Sequence, residues 1–217
     1  MKKKFTILSL ILSSMLILVS CNGYNGKLTE IEKPEKLPIA IIKIKGYGEM
    51  KAELYPHKAP NTVNNFIELA NNKFYDGLTI HRVVRDFVLQ GGCPNGDGTG
   101  DPGYSIKGEF RANGFNINDI KHEKGVLSMA RGQENNSVGS QFFIMLKDNN
   151  TLDDNYSAFG KLISGMEVLD EINKIEIVDE TNKNANTMGR DIPKDKIYIE
   201  SIKIEMNGNK AGKVDKL

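Results

Sequence analysis

Short apolar runs separated by glycine, asparagine and charged positions dominate the chain from residue 39 onward. Met50, Ala52 and Leu54 alternate with polar residues, which predicts a strand with one buried face. The other runs are each short enough for a strand and are bounded by turn residues. Strands are predicted at 39–44, 49–54, 79–84, 87–90, 126–130, 141–146, 157–162 and 196–205.

Two segments have helical spacing instead. Pro60 suits a first helical turn, and Val63, Phe66, Ile67 and Ala70 follow on one face. The helix is predicted to end at 71–72. A second helix is predicted over 166–173. Many short strands with two helices indicate a mainly β fold, a closed barrel with helices over its ends.

The last strand does not alternate cleanly. One phase places Ile197 and Ile199 on the core face, and the other places Tyr198, Ile202 and Ile204 there. The pattern alone leaves both phases open.

The first residues have the character of an export signal. Lys2 to Lys4 precede an apolar stretch, 5–19, that is shorter than the roughly 20 residues of a membrane span. The stretch ends in Leu-Val-Ser-Cys21, which resembles the lipobox of bacterial lipoproteins. That resemblance implies removal of 1–20 and a membrane anchor of diacylglycerol and palmitate on Cys21. The alternatives are a plain secretory signal or an uncleaved anchor.

Composition supports one folded domain on a tether. We expect a lipidated, flexible segment at 21–36, a domain at 37–206 and a polar, disordered tail at 207–217. Hydrophobic residues make up 39% of the chain, which excludes wholesale disorder. Removal of 1–20 takes away three lysines and leaves 26 basic against 28 acidic residues, a net charge of −2. Nucleic acid is therefore not an expected partner.

With Cys21 lipidated, Cys93 has no disulfide partner. We expect Cys93 to be a half-buried side chain in a turn, the alternative being a reactive thiol.

The segment 74–92, FYDGLTIHRVVRDFVLQGG, is the most specific motif. Further blocks follow in order: GDGTG at 96–100, GVLSMA at 125–130, GSQFFI at 139–144 and AFGK at 158–161. Together they resemble the cyclophilins, the peptidyl-prolyl cis–trans isomerases, over about 38–206. The resemblance implies a closed antiparallel eight-stranded barrel capped by two α-helices, and isomerisation of X–Pro bonds without a metal or organic cofactor.

The resemblance also implies the site. Arg82 is the expected catalytic guanidinium, with Gln90 and Gln141 orienting it and the substrate carbonyl. The expected apolar pocket for the proline ring consists of Phe87, Val88, Phe143 and Leu152. The backbone expected to pair with the substrate is that of Ala130, Arg131 and Gly132. Gly98 is the expected glycine beside the S2-side pocket, and Tyr156 is the ring expected over the proline. Of these we rank Phe87 with Arg82 and Gln90 as catalytic and the rest as substrate-binding.

The chemistry suits these residue types. An X–Pro bond rotates over a barrier of about 18–20 kcal/mol that amide resonance maintains. Rotation needs no nucleophile, but it needs a held proline ring and a donor where the prolyl nitrogen gains a lone pair. A guanidinium, always charged and rich in donors, meets that need. His81 neighbours Arg82, but strand alternation should direct it to the other face, so we expect a structural role. The three histidines show no metal-ligand spacing.

Three departures from the family pattern affect the rim. Thr151 replaces a common tryptophan, which indicates weak cyclosporin binding. Arg131 replaces a common asparagine; the effect should be small if the contact is through its backbone, whereas its side chain would favour acidic substrates. The stretch 133–138 is about one residue longer than usual, so the shape of the rim is open.

We therefore expect a monomeric, lipid-anchored isomerase that acts on proline-containing polypeptides outside the cytoplasm. The alternative is a tethered module that binds proline-containing segments, with turnover incidental. A solute-binding lipoprotein would share the signal, but the chain lacks the length for two domains.

Overall fold

The computed structural model describes residues 31–178 and 191–217. The predicted signal, Cys21 and the first part of the predicted tether lie outside the described residues. The structure therefore does not test those predictions. Within the described part, no helix has the length and apolar character needed to cross a membrane.

Eight strands close into one antiparallel barrel, which confirms the predicted fold class. Their bounds are β1 Ile39–Ile44, β2 Gly48–Leu54, β3 Thr79–Val84, β4 Val88–Gly91, β5 Val126–Met129, β6 Phe142–Met145, β7 Ala158–Ser164 and β10 Ile197–Glu205. Around the barrel their order is β1, β10, β3, β4, β6, β5, β7 and β2. A separate two-stranded sheet, β8 Ile177–Val178 with β9 Ile192–Pro193, escaped prediction because each strand has two residues.

The helices are α1 Pro60–Asn71 and α2 Met166–Ile172, close to the predicted bounds. Helix α1 has no side-chain cap at Ala59, although Pro60 occupies its first turn. The carboxylate of Glu109 instead accepts the amides of Asn61 at 3.0 Å and Thr62 at 2.8 Å. Burial raises the pKa of Glu109, and these two hydrogen bonds oppose that shift.

The bulge in β10 resolves the ambiguity of the last strand. Lys43 of β1 pairs with Ser201, but the next residue, Ile44, pairs with Ile199, so one residue of β10 is extra. Ile197 and Ile199 are buried before the bulge and Ile202 is buried after it. Both phases of the pattern are therefore correct, each for one half of the strand.

Strands β4, β5 and β6 are buried on both faces, so buried and exposed positions do not alternate along them. Leu89, Phe142 and Ile144 point into the barrel core. Val88, Phe143 and Met145 belong to a second, smaller apolar cluster on the opposite face. That outer cluster forms the base of the site described below.

Two predictions, one about the tail and one about Cys93, were wrong. Residues 207–217 are not disordered: Val214 is buried and the segment lies against α1. Cys93 is fully buried rather than half-buried, and its Sγ accepts the Gly100 amide at 3.2 Å.

Candidate active site

Strand register creates the site. Arg82 pairs across β3 and β4 with Gln90, Gln90 pairs with Phe143 of β6, and Phe143 pairs with Ser128 of β5. Residues directly opposite one another in a sheet share a face. One row across four strands therefore carries a cation, an amide, an aromatic ring and a hydroxyl on the outer face of the barrel.

The polar end of this row is hydrogen-bonded in series. Arg82 Nη1 donates to Gln90 Oε1 at 3.3 Å, and Gln90 Nε2 donates to Gln141 Oε1 at 3.1 Å. Gln141 Nε2 in turn donates to the carbonyl oxygens of Gly98 at 2.8 Å and Gly100 at 2.9 Å. Both amide hydrogens of Gln141 are thus engaged, and one N–H of Gln90 remains for a ligand. Gln90 therefore keeps one amide hydrogen for a ligand, and Gln141 supports the Gln90 side chain.

An apolar pocket of about 130 Å³ opens beside Arg82. Phe143 forms its buried base, and the Tyr156 ring stands edge-on to it with the centroids 5.7 Å apart. The pocket brings together nine of the predicted residues: Arg82, Phe87, Val88, Gln90, Ala130, Arg131, Phe143, Leu152 and Tyr156.

Beneath the pocket lies a polar support that sequence reasoning missed. His122 stacks against Phe143 with the ring centroids 6.0 Å apart. Its Nδ1 lies 3.1 Å from Asp153 Oδ1 and its Nε2 lies 3.1 Å from Ser128 Oγ. Burial lowers the pKa of His122, and the Asp153 carboxylate opposes that shift. No sequence signal reveals this support, because it depends on which strands are neighbours.

A second cavity, of about 110 Å³, adjoins the first beyond Gln90. Gly98, Gly132 and Gln141 line it, so the remaining predicted residues also belong to the site. Ala130, Arg131 and Gln90 border both cavities. The longer stretch at the rim is closed by Ser137, whose Oγ accepts the Gly132 amide at 2.9 Å.

The Arg131 side chain is engaged within the protein. Its guanidinium donates to the carbonyl oxygens of Asn155, Gly132 and Gln133. It also lies over the Tyr156 ring, 4.9 Å from the centroid. The side chain therefore joins two rim loops, which argues against the predicted preference for acidic substrates.

Asp191 is a further charged neighbour that sequence reasoning did not assign. Its Oδ2 lies 3.7 Å from Arg82 Nη2, and its carbonyl accepts the Val83 amide at 2.8 Å. The guanidinium thus has Gln90 on one side and a carboxylate on the other. Among the residues that the structure describes, no three potential ligands cluster as a metal site would require.

His81 lines a different cavity from Arg82, as strand alternation predicts. That cavity, of about 230 Å³, also includes Thr79 and Lys196. Burial, and then the charge of Arg82, lower the pKa of His81 to about 4. His81 is therefore neutral near pH 7.

We therefore expect His81 to make the protein less stable as the pH decreases. The pKa of His81 is lower in the folded state than its ordinary value of 6.5, so the unfolded state binds more protons between pH 6.5 and 4. The stability gained by keeping His81 neutral is complete above pH 6.5 and is lost as the pH falls toward 4. Urea unfolding at pH 7 and pH 4.5 measures the free energy of unfolding that is lost between these two pH values. We expect this loss to be about 2 kcal/mol smaller for His81→Asn than for the unmodified protein. Equal losses would contradict the assignment.

Comparison with known proteins agrees with this geometry. The family model described as cyclophilin type peptidyl-prolyl cis-trans isomerase/CLD matches residues 39–204. Peptidyl-prolyl cis-trans isomerase B of Bacillus subtilis is 46% identical over 133 residues, which is 61% of this chain and 89% of that protein. A peptidyl-prolyl cis-trans isomerase of Helicobacter pylori is 42% identical over 156 residues, 70% of this chain and 92% of that protein. A cyclophilin type isomerase of Cryptosporidium parvum, crystallised in the presence of the dipeptide Ala-Pro, has a TM-score of 0.66 and 30% identity over 77% of this chain and 98% of its own.

Proposed function

The chain belongs to the cyclophilin-type peptidyl-prolyl cis–trans isomerases, and from that premise we propose how its residues divide the reaction and where the protein works. The observation that carries the proposal is the series from Arg82 through Gln90 to Gln141 beside a pocket of proline-ring size. A relative crystallised in the presence of Ala-Pro supports a proline as the occupant of such a pocket.

The apolar pocket holds the proline ring. Phe143 forms the base, and Leu152 and Tyr156 border the ring. Since the base is buried and backed by His122, it does not yield when the substrate turns. The segment 130–132 lies between the two cavities and supplies backbone for the substrate main chain.

Arg82 lowers the barrier. As the X–Pro bond twists, resonance is lost and the prolyl nitrogen gains a lone pair that accepts a hydrogen bond. A guanidinium N–H directed at that nitrogen interacts more strongly with the twisted state than with either planar state, which is the condition for catalysis. Gln90 holds Arg82 through one hydrogen bond and offers its remaining amide hydrogen to the substrate carbonyl.

Turnover of a short X–Pro peptide tests this assignment. Uncatalysed isomerisation takes tens to hundreds of seconds. We expect the purified protein to shorten this time greatly. A folded protein that binds the peptide without accelerating it would overturn the catalytic roles and support the alternative, a module that binds proline-containing segments.

The site of action is a separate proposal. The basic start, the short apolar stretch and Cys21 support lipid anchoring outside the cytoplasm, where the clients would be exported proteins. Two or more acyl chains give stable membrane attachment, whereas one gives only marginal binding.

Fatty-acid labelling in a bacterial host tests the anchor, and the chain supplies its own control. Cys21 and Cys93 are its two cysteines. Labelled palmitate should enter the unmodified protein and Cys93→Ser, and should be absent from Cys21→Ser, which should also leave the membrane fraction. Label retained by Cys21→Ser, or no label in any variant, would refute the anchor.

A further inference from the structure

Residues 210–217, here called the strap, run along helix α1 after the last strand. The Gly212 amide donates to Asn64 Oδ1 at 2.9 Å. Asp215 and Asn61 exchange two hydrogen bonds, of 2.8 and 2.9 Å. Val214 is only 4% exposed and joins the main core. The strap is therefore packed, not merely adjacent.

The strap also holds the segment that leads to the second cavity. Lys216 Nζ lies 4.1 Å from the centroid of the Tyr104 ring and 2.6 Å from Glu68 Oε1. A cation over an aromatic face is attracted by the ring quadrupole. The Leu217 amide donates to the Ser105 carbonyl at 2.8 Å. Two successive residues, 104 and 105, are thus fixed from the strap.

Tyr104 connects this contact to the cavity wall. Its hydroxyl donates to Asn65 Oδ1 at 2.7 Å, and Asn65 Nδ2 donates to the Gly139 carbonyl at 2.9 Å. Asn65 is fully buried, so both hydrogen bonds lie where water does not replace them. Gly139 lines the second cavity, beside Asp101.

The wall of the second cavity is tightly packed at Gly139. A Cβ on Gly139 would lie 3.0 Å from Pro102 Cδ and 3.4 Å from Asp101 Cβ. Next to it, Ile106 and Val138 form an isolated bridge. A displacement of residues 101–106 would therefore alter the width of the cavity directly, while Arg82 and the proline pocket lie on the other side of Gln90.

We propose that the strap determines substrate specificity: by holding Tyr104 it sets the width of the second cavity, and so selects the side chain that precedes the proline. The strap touches neither Arg82 nor the proline pocket, so it is a positioning element and not part of the chemistry. The inference rests on the proposed placement of the proline in the first pocket, because that placement directs the preceding residues toward the second.

Three variants test the strap. Val214→Asp should release it, and Tyr104→Phe keeps the ring but removes the hydrogen bond to Asn65. Lys213→Ala, at an exposed strap position, is the matched control. The assay is kcat/KM on peptides that differ in size at the two positions before the proline, beside an Ala-Pro reference peptide.

We expect Val214→Asp and Tyr104→Phe to shift the ratio of kcat/KM between large and small side chains by about fivefold toward the large. The shift should lie in KM, with kcat on the reference peptide within about twofold of the unmodified protein, since a positioning effect of this kind changes uniform binding. Lys213→Ala should behave as the unmodified protein.

Two results would overturn the proposal. Unchanged ratios in variants with native circular dichroism would show that the strap does not reach the cavity. An equal loss on every peptide would show that it only supports the fold. Turnover of the reference peptide by the unmodified protein reports separately on the isomerase assignment, so failure of that assignment is recognised before the variants are compared.

Discussion

Arg82→Ala is expected to lower kcat/KM for X–Pro isomerisation by about 10²–10³-fold, the range seen when one donor to a developing charge is removed elsewhere. The pocket proposed for the proline ring remains, so KM should change far less than kcat. Coupled-protease or NMR exchange assays on a short peptide measure both constants. Thermal unfolding should be nearly unchanged, because the side chain is partly exposed and outside the core.

Arg82→Lys is the informative companion. Lysine keeps the charge but replaces a planar fork by a point donor, and it cannot both hold to Gln90 and reach the prolyl nitrogen in the same plane. We expect it to recover at most about tenfold of the lost rate. Full recovery would show that charge alone suffices, and full activity of Arg82→Ala would remove Arg82 from the mechanism.

Phe66→Ala should have the largest effect on stability, a loss of about 4 kcal/mol in the free energy of unfolding. Phe66 lies on α1 and is fully buried. Its ring centroid lies 5.2 Å from that of Tyr75, 5.4 Å from that of Phe142 and 5.0 Å from that of Phe159. The cavity left behind would therefore lie where the helix meets strands β6 and β7.

Urea unfolding measures this loss, with Phe66→Leu as the matched control. Leucine keeps most of the apolar volume and should lose less than half as much stability, about 1.5 kcal/mol. A loss below about 1 kcal/mol for Phe66→Ala would mean that neighbouring rings close the gap, contrary to the close packing of protein interiors.

Local pattern predicted most of the elements, because the period of apolar residues depends on each segment alone. The first strand, Ile39–Ile44, and the helix starting at Pro60 have the predicted bounds. What failed depended on distant partners. The buried Val214 reads as part of a polar tail until helix α1 is placed beside it, and the bulge in β10 is visible only against Lys43 and Ile44 of β1.

The candidate site divides in the same way. Arg82 taken alone has the pattern of a surface charge, and Phe143 has that of a core residue. Only the order of the motifs singled them out. His122 and Asp191 gave no signal, since the register that brings Ser128 beside His122 and the fold that brings Asp191 to Arg82 are properties of the assembled sheet.

The pairing of β1 with β10 has a consequence for how the protein itself folds. Residue 39 pairs with residue 205, so the first strand must wait for the last before the barrel closes. Contacts of such long sequence separation slow folding, and until they form β1 presents an apolar edge of sequence IAIIKI. A chain that emerges from its amino end, whether from a ribosome or across a membrane, therefore holds that edge open until nearly all of it has emerged. We therefore expect the barrel of this isomerase to close late and slowly as the chain folds.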